Sequence, residues 1–428
     1  MKYIIKGGNR LSGKVKVSGA KNSALKIMAA SIMSKGKTIL KNVPIIDDVL
    51  TMADVLELLG ARINFDKSGN CIEIDPDDIK SFEAPYELVR KMRASILVAG
   101  PLLSRFGEVK VAIPGGCNIG SRQIDMHLKG FEQMGADSVT EHGYVYIKAE
   151  NPSTKGQRKR LKGTAINLDF PSRGATENIL MAASLASGTT SIYNAAKEPE
   201  TSDLARYLIK CGADISGVDS DCLVINGVDE LRGCEYEIMP DSIEAGTFIV
   251  AAALCGKKVE IRDAIWDNMG IFCNKLADAG VNITNVNNES VIVKKTRALF
   301  KNVHISTLPF PGFPTDLQPI ISVFLSLVPG VSVITENVFE NRFMYVDELN
   351  RMGANIKIDG HHAVITGVPK LSGAPVSATD LRAGAALVLA GMAAEGITEI
   401  SDIHHIMRGY ENFDKKLREL GADIIKTD

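Results

Sequence analysis

Apolar positions gather in six runs that are apolar around most of a helical circumference: Ser23 to Met33, Ala94 to Leu103, Thr176 to Ala186, Ala245 to Cys255, Leu317 to Val328 and Ala383 to Ala394. Such runs predict helices buried on nearly all sides. Each is followed by a glycine and then by a short alternating stretch that predicts a strand. A polar loop comes next, and then a second, amphipathic helix ending in Gly-Ala or a close variant. The six marks are Gly60-Ala61, Gly135-Ala136, Gly212-Ala213, Gly280-Val281, Gly353-Ala354 and Gly421-Ala422. Glycine suits the left-handed residue that ends a helix, and a strand begins directly after it. The pattern predicts six copies of a βαβαβ-like unit of about seventy residues. Six such units exceed one core, so two globular halves of three units are expected, in an α/β fold.

Equivalent loops in repeated units gather at equivalent ends, so the polar loops are where chemistry is expected. They hold Asp47-Asp48, Cys117 to Arg122, Glu198-Pro199-Glu200, Trp266-Asp267-Asn268, Glu340-Asn341-Arg342 and His404 to Arg408. The segment Pro114-Gly115-Gly116-Cys117-Asn118-Ile119-Gly120-Ser121-Arg122 is unlike the others. It lies between a strand pattern, Val109 to Ile113, and an amphipathic helix pattern, Ile124 to Met134. A cysteine just ahead of a helix start, with a guanidinium near it, is biased toward thiolate. Its glycines leave it free to move, so Cys117 reads as a reactive thiol under a closing loop. Cys211, Cys255 and Cys273 stand in apolar helical runs and read as small buried hydrophobes.

Several cations fall on the same repeating element: Lys21, Arg93, Arg122, Arg342, Arg382 and Arg408. Singly each reads as a surface charge. As a set beside helix starts they read as an anion site, because guanidinium grips carboxylate and phosphate through paired hydrogen bonds and helix N-termini add free N–H groups. Asp316 and Asp380 both open apolar helices. Each is either an N-cap or a functional carboxylate, a base or an orienter of a cation.

Composition narrows the classes. The chain has 428 residues, 45% hydrophobic and 23% charged, with a net charge of −2. That is a soluble globular balance without the field needed to attract nucleic acid or a membrane surface. Seven scattered cysteines without a CxxC pair argue for a reducing cytoplasm and against a zinc site or disulfide frame. His361-His362 and His404-His405 lack companions at metal spacing. The first ten residues lack a signal-peptide core, and no run has membrane length. A cytoplasmic protein working on small anionic molecules is expected.

The repeats, the thiol loop and the cations together resemble the UDP-N-acetylglucosamine enolpyruvyl transferase family, which belongs with the EPSP synthases. The segments that carry the likeness span the chain: Ser18-Gly19-Ala20-Lys21-Asn22-Ser23, Lys91-Met92-Arg93-Ala94-Ser95, the Cys117 loop, Phe313-Pro314-Thr315-Asp316, Phe339-Glu340-Asn341-Arg342-Phe343, Ala378-Thr379-Asp380-Leu381-Arg382 and Arg408-Gly409-Tyr410-Glu411. The resemblance implies the enolpyruvyl transferase fold, with domains at 22–239 and at 1–21 plus 240–428 and the active site in the cleft between them. It implies transfer of the enolpyruvyl group of phosphoenolpyruvate to the 3′-hydroxyl of UDP-N-acetylglucosamine with release of phosphate, an entry step to peptidoglycan, without metal or cofactor. Cys117 would be the general acid and the target of fosfomycin, and Asp316 the base. Lys21, Arg122, Arg382 and Arg408 would hold the anionic groups, with Arg342 close by and Asp380 in the same site. Asn22, Arg93, Arg122, Gln123, Ile124, Asp125, Met126, Ser172, Arg173, Gly174 and Val338 would hold the nucleotide sugar. Two other readings stand beside this one: an EPSP synthase acting on shikimate 3-phosphate, and a silent paralogue that only senses the UDP-sugar.

Overall fold

The computed structural model describes residues 1–84, 93–113, 124–150, 160–296 and 299–427, with backbone only at 93–95. The chain divides into two compact units. One is built from Met1–Ser18 with Pro240–Asp428, the other from the described parts of Gly19–Gly116 and Arg122–Met239. Each has its own hydrophobic core. Phe248, Phe324, Tyr345 and Phe413 lie in the first, and Ile27, Met28, Phe131 and Tyr207 in the second.

Among the described residues six four-stranded sheets share one topology, three in each unit. Ile305–Ser306 pairs parallel with Val331–Thr335. Val331–Thr335 pairs antiparallel with His362–Thr366, which in turn pairs antiparallel with Asn355–Asp359. A buried helix connects the first two strands and an amphipathic one the second and third. The unit is therefore βαβαββ, with spatial order first, second, fourth, third. This corrects the expected βαβαβ unit by one strand. After the first five Gly-Ala marks the extra strand is the return arm of a tight hairpin, and after the sixth its place is taken by Lys2–Lys6. The hairpin turns rest on residues in left-handed conformation: Asn70, His142-Gly143, Asp219, Asn287-Asn288 and Gly360.

The glycines at 60, 135, 212, 280, 353 and 421 all have φ between 82° and 108°. A side chain there would be strained, so these marks specify where each amphipathic helix stops.

Three sheets are completed by strands far away in sequence, the first by Leu11–Lys16, which pairs parallel with Gly256–Arg262. Glu235–Glu237 pairs with Thr38–Lys41. Lys2–Lys6 lies between Ile397–Ser401 and Asp423–Thr427.

The apolar helices are buried as expected. Ser242–Cys255, Gln318–Ser326 and Leu381–Ala393 pack pairwise against one another. Lys21–Ser31 and Arg173–Ser184 bury nearly every residue. Two starts are tighter than expected: Arg93–Val98 and Thr315–Leu317 are 3₁₀ turns that feed into α-helices. Among the described residues no helix is long and apolar enough to cross a membrane.

Candidate active site

In the unit holding Asp316, one buried carboxylate organises the local backbone. Glu336, 3% exposed, follows the strand Val331–Thr335. Its Oε1 accepts from Thr307 Oγ1 at 2.9 Å, from Val338 N at 2.9 Å and from Phe339 N at 3.1 Å. Its Oε2 accepts from Thr315 Oγ1 at 3.0 Å. Four donors from three segments thus converge on one side chain and fix the 338–339 turn relative to Thr315-Asp316.

Asp316 does not cap a helix. The caps of its 3₁₀ turn and of the helix that follows are Pro314 and Leu317, without side-chain hydrogen bonds. Its carboxylate instead accepts from Arg342 Nη2 at 2.9 Å and from Arg382 Nη2 at 3.3 Å. Both arginines are 2% exposed while Asp316 is 24% exposed at its side chain. Arg342 also donates through Nε to the Thr315 carbonyl at 3.3 Å. The guanidinium of Arg382 lies 5.3 Å from the Tyr410 ring centre.

Asp380 does cap. Its Oδ1 accepts from the backbone N–H of Arg382 at 2.7 Å and of Ala383 at 3.0 Å, so the plain structural reading of this residue is the one observed.

Hydrogen-bonding capacity remains unused here. Arg382 Nε and Nη1, Asp380 Oδ2, Thr379 Oγ1 and both amide atoms of Gln318 are buried without a partner among the described residues. Buried polar groups are normally paired, because leaving one unpaired costs about 1–3 kcal/mol. A guanidinium with two open donors beside a second guanidinium is suited to an anion carrying several oxygens. Arg408, half-buried, caps the C-terminus of the short His404–Met407 helix. That helix packs on Leu381–Ala393.

The other unit holds Lys21, Asn22, Ile124, Asp125, Met126, Ser172, Arg173 and Gly174. Lys21 opens the Lys21–Ser31 helix and forms an ion pair with Asp48, in the first turn of Asp47–Leu59. Both are nearly buried. Asn22 beside it is partly exposed.

Ile124 is the N-cap of Asp125–Gln133, and Ser172 is the N-cap of Arg173–Ser184, accepting from Ala175 N at 3.4 Å. These two helix starts are joined by His127. Asn178 Oδ1 accepts from Gly100 N at 2.8 Å, so its Nδ2 donates, to the Ile96 carbonyl at 2.9 Å and to His127 Nδ1 at 2.9 Å. His127 Nδ1 is thereby an acceptor, which requires the neutral ring protonated at Nε2. Burial agrees and pushes its pKa down to about 4. The ring lies against Gly174, where an added Cβ would come within 3.3 Å of it. The predicted segments 124–126 and 172–174 are thus brought side by side as two adjacent helix N-termini, a setting that favours negative charge. Arg173 stands on one of them, 3.7 Å from the Glu200 carboxylate.

Cys117, Arg122, Gln123 and the side chain of Arg93 lie outside the described residues. Among the described residues no group of three or more His, Cys, Asp or Glu is placed to hold a metal ion.

Sequence reasoning missed Glu336, His127 and the buried pair Lys26–Glu177, which also takes Thr201 Oγ1 at 2.8 Å. For the pair a signal existed. Lys26 and Glu177 are ionisable residues inside runs otherwise fit for burial.

Comparison with known proteins agrees with this architecture. Residues 5–417 match the EPSP synthase (3-phosphoshikimate 1-carboxyvinyltransferase) family. A UDP-N-acetylglucosamine 1-carboxyvinyltransferase 1 of Caldanaerobacter subterraneus subsp. tengcongensis is 52% identical over 425 residues, 99% of each chain. The enolpyruvyl transferase NikO from Streptomyces tendae superposes with a TM-score of 0.89 at 26% identity, covering 99% of this chain and 98% of that one. An EPSP synthase from Acinetobacter baumannii shares the fold, with a TM-score of 0.77 at 19% identity and both chains fully covered. The chain belongs to the EPSP synthase family and is a carboxyvinyltransferase.

Proposed function

We propose that this enzyme transfers the carboxyvinyl (enolpyruvyl) group of phosphoenolpyruvate to the 3′-hydroxyl of UDP-N-acetylglucosamine, releasing phosphate and opening peptidoglycan synthesis. The acceptor follows the relative that shares half of the sequence. The observation that carries the chemistry is Asp316 held between the two buried guanidiniums of Arg342 and Arg382.

In this reading the anionic groups of phosphoenolpyruvate take up the open donors of Arg382, with Arg342, Arg408 and Lys21 serving the same anion. Substrate oxygens then compete with Asp316 for the guanidiniums. As that competition loosens the ion pairs, the Asp316 carboxylate becomes more basic and takes the hydroxyl proton. The acceptor oxygen bonds to C2 of phosphoenolpyruvate while Cys117 delivers a proton to C3. The tetrahedral adduct then loses a C3 proton and breaks its bond to the phosphate oxygen, which leaves the enol ether and free phosphate. The paired helix starts at 124–126 and 172–174, with Arg173 and Val338, serve the nucleotide sugar, the diphosphate matching helix N-termini. Asn22, Arg93, Arg122 and Gln123 are assigned to the same substrate by the family likeness, and Asp380 acts by holding the start of the Arg382 helix.

The experiment is phosphate release by purified protein with each acceptor. Release that requires both phosphoenolpyruvate and UDP-N-acetylglucosamine supports the proposal. Release with shikimate 3-phosphate alone, or UDP-sugar binding with no turnover, refutes it.

A further inference from the structure

Cys211 and Cys234 are singled out by geometry that the transfer reaction does not use. Cys211 caps the C-terminus of Pro199–Lys210, and Cys234 lies between the strands Leu231–Arg232 and Glu235–Glu237. Their sulfurs are 3.3 Å apart, both thiols free. The backbone holds them in place. Arg232 N donates to the Cys211 carbonyl at 2.9 Å, and Ile39 N donates to the Cys234 carbonyl at 3.0 Å. Cys211 is 3% exposed, whereas Cys234 is partly open to solvent.

The two thiols are not equivalent. A hydrogen bond from Cys234 favours the Cys211 thiolate, against burial, with Tyr207, Ser34 and Lys210 adding in the same direction. The same hydrogen bond keeps the proton on Cys234. Cys255 and Cys273 show the contrast, since burial pushes their thiols up to about 11 and about 12. A thiolate-biased sulfur touching a second thiol is the arrangement of a redox-active pair, in which one attacks and the other resolves.

We propose that Cys211 and Cys234 are a modification site for hydroperoxides that closes reversibly to a disulfide. The Cys211 thiolate attacks the outer peroxide oxygen. The O–O bond breaks, sulfur gives up two electrons, and sulfenic acid forms with release of water or an alcohol. Cys234 then loses its proton, its sulfur displaces hydroxide from the sulfenic sulfur, and the second water leaves. In total two thiols and one hydroperoxide give one disulfide, one water and one water or alcohol. A dithiol reductant returns two electrons and two protons. The bridge ties the end of Pro199–Lys210 to the approach of Glu235–Glu237. The same helix carries Asp203, which accepts from Ser23 and from Tyr236, and Glu200, the partner of Arg173. Oxidation thus stiffens the helix that braces the Lys21 and Arg173 helices.

The test does not depend on the proposed reaction. Native enzyme is treated with hydrogen peroxide, unfolded, alkylated with iodoacetamide, digested and mapped. The expected product is one cross-linked peptide containing Cys211 and Cys234, about 2 Da lighter than the two thiol peptides together. Dithiothreitol should remove it, and the oxidised protein should melt at a higher temperature than the reduced one. In Cys234→Ser the cross-link should vanish and dimedone should label Cys211. Should that variant not fold, the wild-type map decides alone. Recovery of both cysteines fully alkylated after a peroxide dose that oxidises glutathione, or a cross-link that joins either to a different cysteine, overturns the proposal.

Discussion

Glu336 accepts a hydrogen bond from Thr315 Oγ1 at 3.0 Å, one residue before Asp316. A second carboxylate therefore anchors the residue that precedes Asp316. Replacing Glu336 by alanine leaves the buried donor at Thr307 and the part-buried donors at Thr315, Val338 and Phe339 without their acceptor. The expected loss of stability is on the order of 3 kcal/mol, read by thermal or urea unfolding. Glu336→Gln keeps the shape and should unfold nearly like the parent, yet lower kcat/KM about tenfold by letting Asp316 drift. Unchanged kcat/KM in a folded Glu336→Gln enzyme would show that this brace is not used.

Asp316→Asn removes the counter-charge of two buried guanidiniums. Turnover is expected to fall by about 10²–10⁴-fold, the range for loss of a general base. Stability should fall as well. The expected loss is about 2 kcal/mol, below the figure for a fully buried pair because Asp316 keeps 24% of its side chain exposed. Phosphate release and a melting curve measured on one preparation separate the two effects.

His127 makes stability depend on pH. Its folded pKa lies at about 4, below the ordinary histidine value near 6.5, so the unfolded chain binds the extra proton first. Its contribution is fully present above about pH 6.5 and is lost as pH falls toward 4, up to about 3 kcal/mol. Urea unfolding between pH 7 and pH 4 should show this decline, and His127→Gln should flatten it. An identical pH profile in the variant would mean that other groups govern acid sensitivity.

Cys117→Ser should lose most phosphate release and still bind UDP-N-acetylglucosamine, since a thiol proton serves bond formation rather than sugar affinity. Calorimetric titration with the UDP-sugar provides the check. In parallel, intact mass after fosfomycin should show one adduct on the parent and none on the variant. Loss of sugar affinity with turnover intact would contradict the assignment.

Much of the fold was legible because it rests on backbone demands that few residues meet. Six helix ends need a left-handed residue, and six glycines mark them. The fourth strand of each repeat was not legible, because the strand before it can be as short as Asp214–Ser216 and the turns between the two use Asn, His and Asp as well as glycine. The cations Arg342 and Arg382 could be found from their recurring positions. Their shared partner could not, since Asp316 and Asp380 look alike in sequence and only packing makes one an ion-pair centre and the other a cap. Glu336 and His127 carry no local mark at all. Their roles come from donors far away in sequence, Asn178 at 51 positions from His127 and Thr307 at 29 from Glu336.

The strand Lys2–Lys6 finds both of its neighbours beyond residue 396. During synthesis on the ribosome it must therefore wait, unpaired, while almost four hundred more residues are made. The unit around Lys21 is complete once Glu235–Glu237 has emerged. Translation thus orders assembly, with the inserted unit closing early and the enclosing one late. Stalling or truncation near the end would release a chain with one finished unit and an open sheet edge, a target for chaperones and a seed for aggregation.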